Sequence, residues 1–257
     1  MVHSGTRESR MQASAIEFRL RMLINAVIIV LGFWAPWIEP WGIDRRIALL
    51  EWLPLAISRA GLLSFTVASP AVIVASALVA AVGAMLRIWG TAYLGPATVQ
   101  HAQMQAGAVV ADGPYRYVRN PLYLGMWGMA AAMAFLMPPT GALFTMALLS
   151  VFLLRLTLGE EAFLADRLGE PYRAYLRAVP RFMPRVRTPL PSAGARPDWL
   201  RAVPAELLPI GVFFTLAVVS WSYDNRLMGR VILISFGLSL VVRAFMPGAP
   251  VTPGTEK

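Results

Sequence analysis

The sequence predicts an all-α, polytopic integral membrane protein of about six transmembrane helices. Three observations carry this. Hydrophobic residues make up 57% of the 257-residue chain and charged residues only 14%, against roughly 25% charged in a soluble domain, which needs polar surface to face water. The apolar residues fall in long runs, as spans of about 20 residues require. The arginines collect in alternate connections between those runs, the mark of a topology set by basic loops. A mean hydropathy of +0.59 agrees.

Residues 1–21 are polar and charged, long for the charged region of an export signal. The apolar run behind them ends at Trp37-Ile38-Glu39-Pro40 and not at a small-x-small cleavage site, so it reads as a retained first helix. That run, 22–38, has Trp34 and Trp37 at its end, where an aromatic belt sits. The second span is 61–86, with Pro70 near its start. The third and fourth share the stretch 122–154, broken by Pro138-Pro139 and Gly141 into a tight helical hairpin. The fifth is 207–223. The sixth is 227–246, with Arg230 and Arg243 placed to snorkel. Residues 47–57 are short and hold Glu51 and Pro54, which suits an interfacial or re-entrant piece. Residues 88–110 carry Gln100, His101, Gln103 and Gln105, so this stretch continues the second helix and then leaves the membrane.

Arg7, Arg10, Arg19 and Arg21 precede the first span, Arg87, Arg116 and Arg119 lie between the second and third, and eight more run from Arg167 to Arg201 between the fourth and fifth. The alternate connections hold only Arg45, Arg46, Arg59 and Arg226. Both termini and both basic loops are therefore expected in the cytoplasm, with the protein in the inner, cytoplasmic membrane. The residues divide as 1–60 (tail, first helix and interfacial segment), 61–187 (membrane core), 188–206 (a Pro- and Gly-bearing linker) and 207–257 (terminal helix pair and tail).

The net charge of +9 and pI near 10.8 raise nucleic-acid binding. The excess, though, is mostly arginine spread around apolar runs, with no stacking or helix-turn-helix pattern, so no nucleic-acid partner is expected. The absence of cysteine excludes disulfides, thiolate metal sites and S-acyl anchors. His3 and His101 stand far apart, so no metal site is expected.

The chemistry lies in two clusters. The first is Gly113-Pro114-Tyr115-Arg116-Tyr117-Val118-Arg119-Asn120-Pro121-Leu122-Tyr123-Leu124-Gly125. Pro121 suits the first turn of a membrane helix, and Asn120 is in position to cap it. The helix then turns its N-terminal amides toward the cytoplasmic interface, a seat for a carboxylate or a ribose hydroxyl. The second cluster follows the fourth span: Arg155, Gly159-Glu160-Glu161, Gly169-Glu170-Pro171-Tyr172, Tyr175 and Val179-Pro180-Arg181. Carboxylates at a membrane helix end are costly to desolvate and seek cations. Simpler roles exist for each group: Tyr115, Tyr117 and Tyr123 as belt aromatics, Arg116 and Arg119 as topology residues, Glu160 and Glu161 as a solvated helix end, Gln100 and His101 as loop polars.

Together these clusters, in this order and across a helical hairpin, resemble the isoprenylcysteine carboxyl methyltransferase and phospholipid methyltransferase superfamily over roughly residues 85–185. The resemblance implies S-adenosyl-L-methionine bound in a cytoplasmic-face pocket. Carried over by position, Tyr115, Asn120, Pro121, Leu122 and Tyr123 match cofactor contacts and Glu160 matches the acidic cofactor residue. Gln100, Gly107, Ala108, Val109 and Val110 fall where further contacts lie, and Arg119 and Glu161 complete the expected set. Arg155 and Glu160 are the expected catalytic residues, with Arg155 or Arg119 holding an acidic substrate group by charge. Asn120 stands where many members have histidine, and Leu156 where isoprenylcysteine enzymes place a substrate arginine.

The function expected is methyl transfer to a lipophilic, membrane-partitioned acceptor (a lipid amine, thiol or carboxylate). The alternatives are a protein-S-isoprenylcysteine carboxyl O-methyltransferase and a non-catalytic or transporter-like membrane protein. The uncharged centres of most spans speak against the transporter. The methyl acceptor and the oligomeric state are not legible.

Overall fold

The computed structural model describes residues 12–34, 47–95, 109, 111–187 and 190–245, which contain helices and no strand. The helices are α1 (Ala15–Arg19), α2 (Arg21–Phe33), α3 (Leu49–Arg59), α4 (Phe65–Leu94), α5 (Pro121–Ala134), α6 (Pro139–Leu168), α7 (Glu170–Ala178), α8 (Trp199–Ala205), α9 (Leu207–Ala217) and α10 (Asn225–Phe245). Short 3-10 turns at Gly113–Arg116 and Val219–Ser222 precede α5 and α10.

Among the described residues, α4, α6 and α10 are each long and apolar enough to cross a membrane, and α8 with α9 makes a fourth if that pair, bent by 65°, is one span. α2 and α5 are apolar but shorter, at 13 and 14 residues. The hairpin expected around Pro138-Pro139 is present, but its first helix stops at Ala134. The following turn hands its carbonyls to α3: the Leu49 amide donates to Met137 (2.7 Å) and that of Leu50 to Phe135 (2.8 Å). The piece at 47–57 is thus a helix cradling the hairpin turn. Large apolar side chains such as Leu78, Val82, Leu143, Val151, Leu233 and Ile234 point outward, as lipid-facing residues do and as a soluble surface rarely allows.

α4 and α6 each run for 30 residues, about 45 Å at 1.5 Å per residue, against a hydrocarbon core of roughly 30 Å. Their C-terminal halves carry Arg87 and Glu160. Glycine sets how closely the helices approach. A Cβ at Gly83 of α4 would lie 2.8 Å from the Met129 amide nitrogen and 3.1 Å from the Gly125 carbonyl oxygen of α5, so the two backbones touch, as small residues permit in lipid. This contact fixes the start of α5 beside the end of α4.

α9 also packs on α4 and α5, and a buried ion pair ties its start to α4. Glu206, at the joint between α8 and α9, receives Arg87 Nε (2.6 Å) and Nη2 (2.9 Å) and the Thr91 hydroxyl (2.7 Å). The bend of the α8–α9 pair therefore sits where its carboxylate is gripped by α4.

Candidate functional site

The first cluster folds as a turn and a helix start. Gly113 has φ +56°, a conformation that favours glycine, and the Tyr93 ring fills the place a Cβ would need. The 3-10 turn then buries Tyr115. Its hydroxyl reaches the Gly90 carbonyl at 3.4 Å, a weak bond, and its own carbonyl accepts the Tyr175 hydroxyl at 2.8 Å. Burial, with the Glu160 charge adding to it, pushes the Tyr115 hydroxyl well above the usual phenol range, so it is a neutral donor. Leu122 packs against Gly90, where a Cβ would come 2.8 Å from Leu122 Cδ2.

Pro121 opens α5 and Asn120 stands at its N-cap, but the Asn120 side chain makes no capping bond. This corrects the capping expectation. Its amide nitrogen donates to Glu161 Oε1 (2.8 Å) and, at 3.4 Å, to the Arg181 carbonyl. The ionised acceptor offers a stronger hydrogen bond than a backbone cap does, and the first amides of α5 are left without a side-chain cap.

The adjacent carboxylates divide their work, since successive residues on a helix are rotated by about 100°. Glu161 is buried and joins the clusters: Arg181 donates to its Oε2 through Nη2 (2.8 Å) and Nε (3.0 Å), Asn120 binds Oε1, and Arg119 lies 3.5 Å away. The backbone repeats the join, with the Arg119 amide on Pro180 (2.9 Å) and the Arg185 amide on Tyr117 (3.1 Å). Tyr172 and Tyr175 of α7 pack under it as a tilted pair, ring centres 5.7 Å apart. Glu160 is only half-buried. Its Oε2 accepts the Tyr123 hydroxyl at 2.7 Å.

Tyr115 and Leu122 thus lie beside Gly90, and Tyr123 meets Glu160, while Arg119, Asn120 and Glu161 form the adjoining knot. Val109 is half-buried against the Tyr172–Tyr175 cluster. Gln100, His101, Gly107, Ala108 and Val110 lie outside the described residues. Arg155 stands apart, paired with Glu17 (2.9 Å) and donating to the Gln12 carbonyl (3.2 Å). Leu156 is fully buried in an apolar cluster.

Sequence reasoning missed Glu17, Asp112 and Glu206. Ser14 and Glu17 carried a readable signal, a Ser-x-x-Glu capping box ahead of an apolar run, and both of its reciprocal bonds form. Asp112 clasps the supposed linker: its Oδ1 accepts from the Ser192 hydroxyl (2.7 Å) and the Ala193 amide (3.0 Å), and its Oδ2 from the Ala195 amide (2.9 Å). Among the described residues, Asn25 Oδ1, Arg119 Nε and Thr157 Oγ1 are buried without a hydrogen-bond partner. Thr157 lies one turn before Glu160 on α6, and Asn25 one turn after Arg21 on α2.

Fold and site together define a helical integral membrane protein with carboxylates, tyrosines and arginines gathered at one end of its helices. Residues 65–170 match the phospholipid methyltransferase family. Over 80 residues the chain is 35% identical to "Protein-S-isoprenylcysteine O-methyltransferase" of Schizosaccharomyces pombe (strain 972 / ATCC 24843), a match covering 30% of this chain and 34% of that one. The chain thus matches about a third of that relative's length. This stretch is thus similar to methyltransferases under both names. No solved structure matches the chain.

Proposed function

We propose that the protein transfers a methyl group from S-adenosylmethionine to a lipophilic acceptor that partitions into the bilayer, a lipid amine, thiol or carboxylate. The observation that carries this reading is the Tyr123–Glu160 hydrogen bond. It ties the two clusters of the matched stretch together at a helix start whose amides have no side-chain cap.

The residues present fit such a cofactor. The first-turn amides of α5 suit a carboxylate. Glu160 accepts hydrogen bonds from hydroxyls, and the neutral Tyr115 hydroxyl donates one. Leu122, against Gly90, offers an apolar face. When bound, the cofactor supplies an electrophilic methyl on a sulfonium, so no metal or nucleophilic side chain is required. The protein's contribution is placement. Holding nucleophile and methyl carbon in line at about 3–3.5 Å is worth several kcal/mol of the barrier, and the Glu161 knot gives the clusters the rigidity this needs. The acceptor would enter sideways from the bilayer, with the site at the cytoplasmic face and both termini in the cytoplasm.

The test is to incubate membranes containing the protein with methyl-labelled S-adenosylmethionine and then extract the lipids. Label in the lipid fraction supports the reading. Label in prenylated protein instead would favour the activity named for the fission-yeast relative, and absence of transfer together with absence of S-adenosylhomocysteine binding would sink both.

A further inference from the structure

The matched stretch begins at residue 65, yet its site is bordered by residues from well before it. The backbone of the N-terminal segment lies along α6. The Ala13 amide donates to the Arg155 carbonyl at 3.0 Å, and a Cβ at Gly159 would meet the Ala13 carbonyl oxygen at 3.1 Å. Arg155 closes the contact with two prongs on Glu17, Nη2 to Oε2 at 2.9 Å and Nε to Oε1 at 3.2 Å. The Arg155 guanidinium and the Ser14 amide hold the Glu17 carboxyl down at about 2. This contact is a latch with charge on both sides and main-chain bonds around it.

One turn past Glu17 comes Arg21. Its Nη1 donates to the Phe18 carbonyl at 2.9 Å, and its guanidinium carbon lies 4.1 Å from the centre of the Phe18 ring. Phe18 is buried in the same apolar cluster as Leu153 and Leu156 of α6, so the position of Arg21 follows the docking of the segment. α2 then continues along α6, and Asn25 Nδ2 reaches Met126 of α5 at 3.1 Å. The segment therefore touches both helices that carry the clusters.

The segment meets the site through Tyr123. The Tyr123 hydroxyl donates to Glu160, and its ring packs on the apolar cluster that holds Ala13, Phe18 and Ile28.

We propose that residues 12–25 form a third wall of the site. The Arg155–Glu17 pair is the latch that keeps this segment against α6 and the Tyr123 ring. This rests on the methyltransferase reading, and it assigns Arg155 to the latch and not to the substrate.

The test is calorimetric titration of the full-length protein in detergent with S-adenosylhomocysteine. Glu17→Arg and Arg155→Glu each weaken binding, and the double exchange restores it to within about threefold, a rescue expected only of a direct charge pair. Wild-type protein that binds while Glu17→Arg and Arg155→Glu both bind within twofold of it overturns the proposal but leaves the methyltransferase reading standing. A failure of the double exchange to recover overturns the latch. Wild-type protein that does not bind overturns the methyltransferase reading, and this proposal falls with it.

Discussion

Arg87 and Glu206, separated by 119 positions in sequence, meet as a buried two-pronged ion pair with bonds of 2.6 and 2.9 Å. Their side chains are 6% and 1% exposed. Arg87 belongs to the matched stretch and Glu206 does not. The pair therefore decides how the terminal helices are joined to the part of the chain that holds the clusters. Removing one partner leaves the other charge buried, at a cost of about 3–5 kcal/mol, whereas replacing both with apolar residues is often tolerated. Glu206→Gln is expected to lower the unfolding temperature in detergent markedly, and the double variant Arg87→Met/Glu206→Met to lower it less. A double variant less stable than either single one would contradict this account.

The Tyr123–Glu160 bond predicts an effect on folding and on binding together. Tyr123→Phe removes one hydroxyl and keeps the ring. Hydrogen bonds to charged groups contribute about 1.5–3 kcal/mol to the fold, so the unfolding temperature in detergent should fall, and affinity for S-adenosylhomocysteine should fall with it because Glu160 loses the hydroxyl that orients it. Unchanged affinity would mean that this bond serves packing alone.

Asp112 predicts how the 190–195 segment responds to acid. The Ser192 hydroxyl and the amides of Ala195 and Ala193 hold its carboxyl below the ordinary aspartate range. Because the folded-state value lies under the unfolded one of about 3.9, the clasp contributes fully above that pH and is lost as pH falls through the depressed value. Hydrogen exchange at Ala193 and Ala195, corrected for intrinsic rates, should stay slow from neutral pH down to about 4 and rise only below it. Asp112→Ala should lose that protection already at neutral pH. Wild-type protection lost near pH 6 would rule the clasp out.

The arginine asymmetry predicts that reporters fused after Lys257 and between residues 188 and 197 both lie in the cytoplasm. An external signal from either fusion would defeat the proposed orientation and, with it, the cytoplasmic placement of the site.

Much of this protein is local, and local features are legible in a sequence. Apolar runs, Pro138-Pro139, Gly113 and the basic connections act within a few residues of themselves, so helices, breaks and both clusters could be located without coordinates. Partner choice is different. Asn120 was placed at its helix start, but whether its amide caps that helix or crosses to Glu161 depends on where α6 passes. Glu160 and Glu161 look alike in sequence, and a single helical step separates the one facing Tyr123 from the one facing Arg181. Arg155, read as a candidate for chemistry, is claimed by Glu17 because α1 docks on α6. The linker is held down because Asp112 faces it, and the α8–α9 bend follows from Arg87 reaching Glu206. Long cationic side chains have several carboxylates within reach of their sequence pattern. Only helix packing, set by contacts such as Gly83 on Gly125, decides which of them they meet.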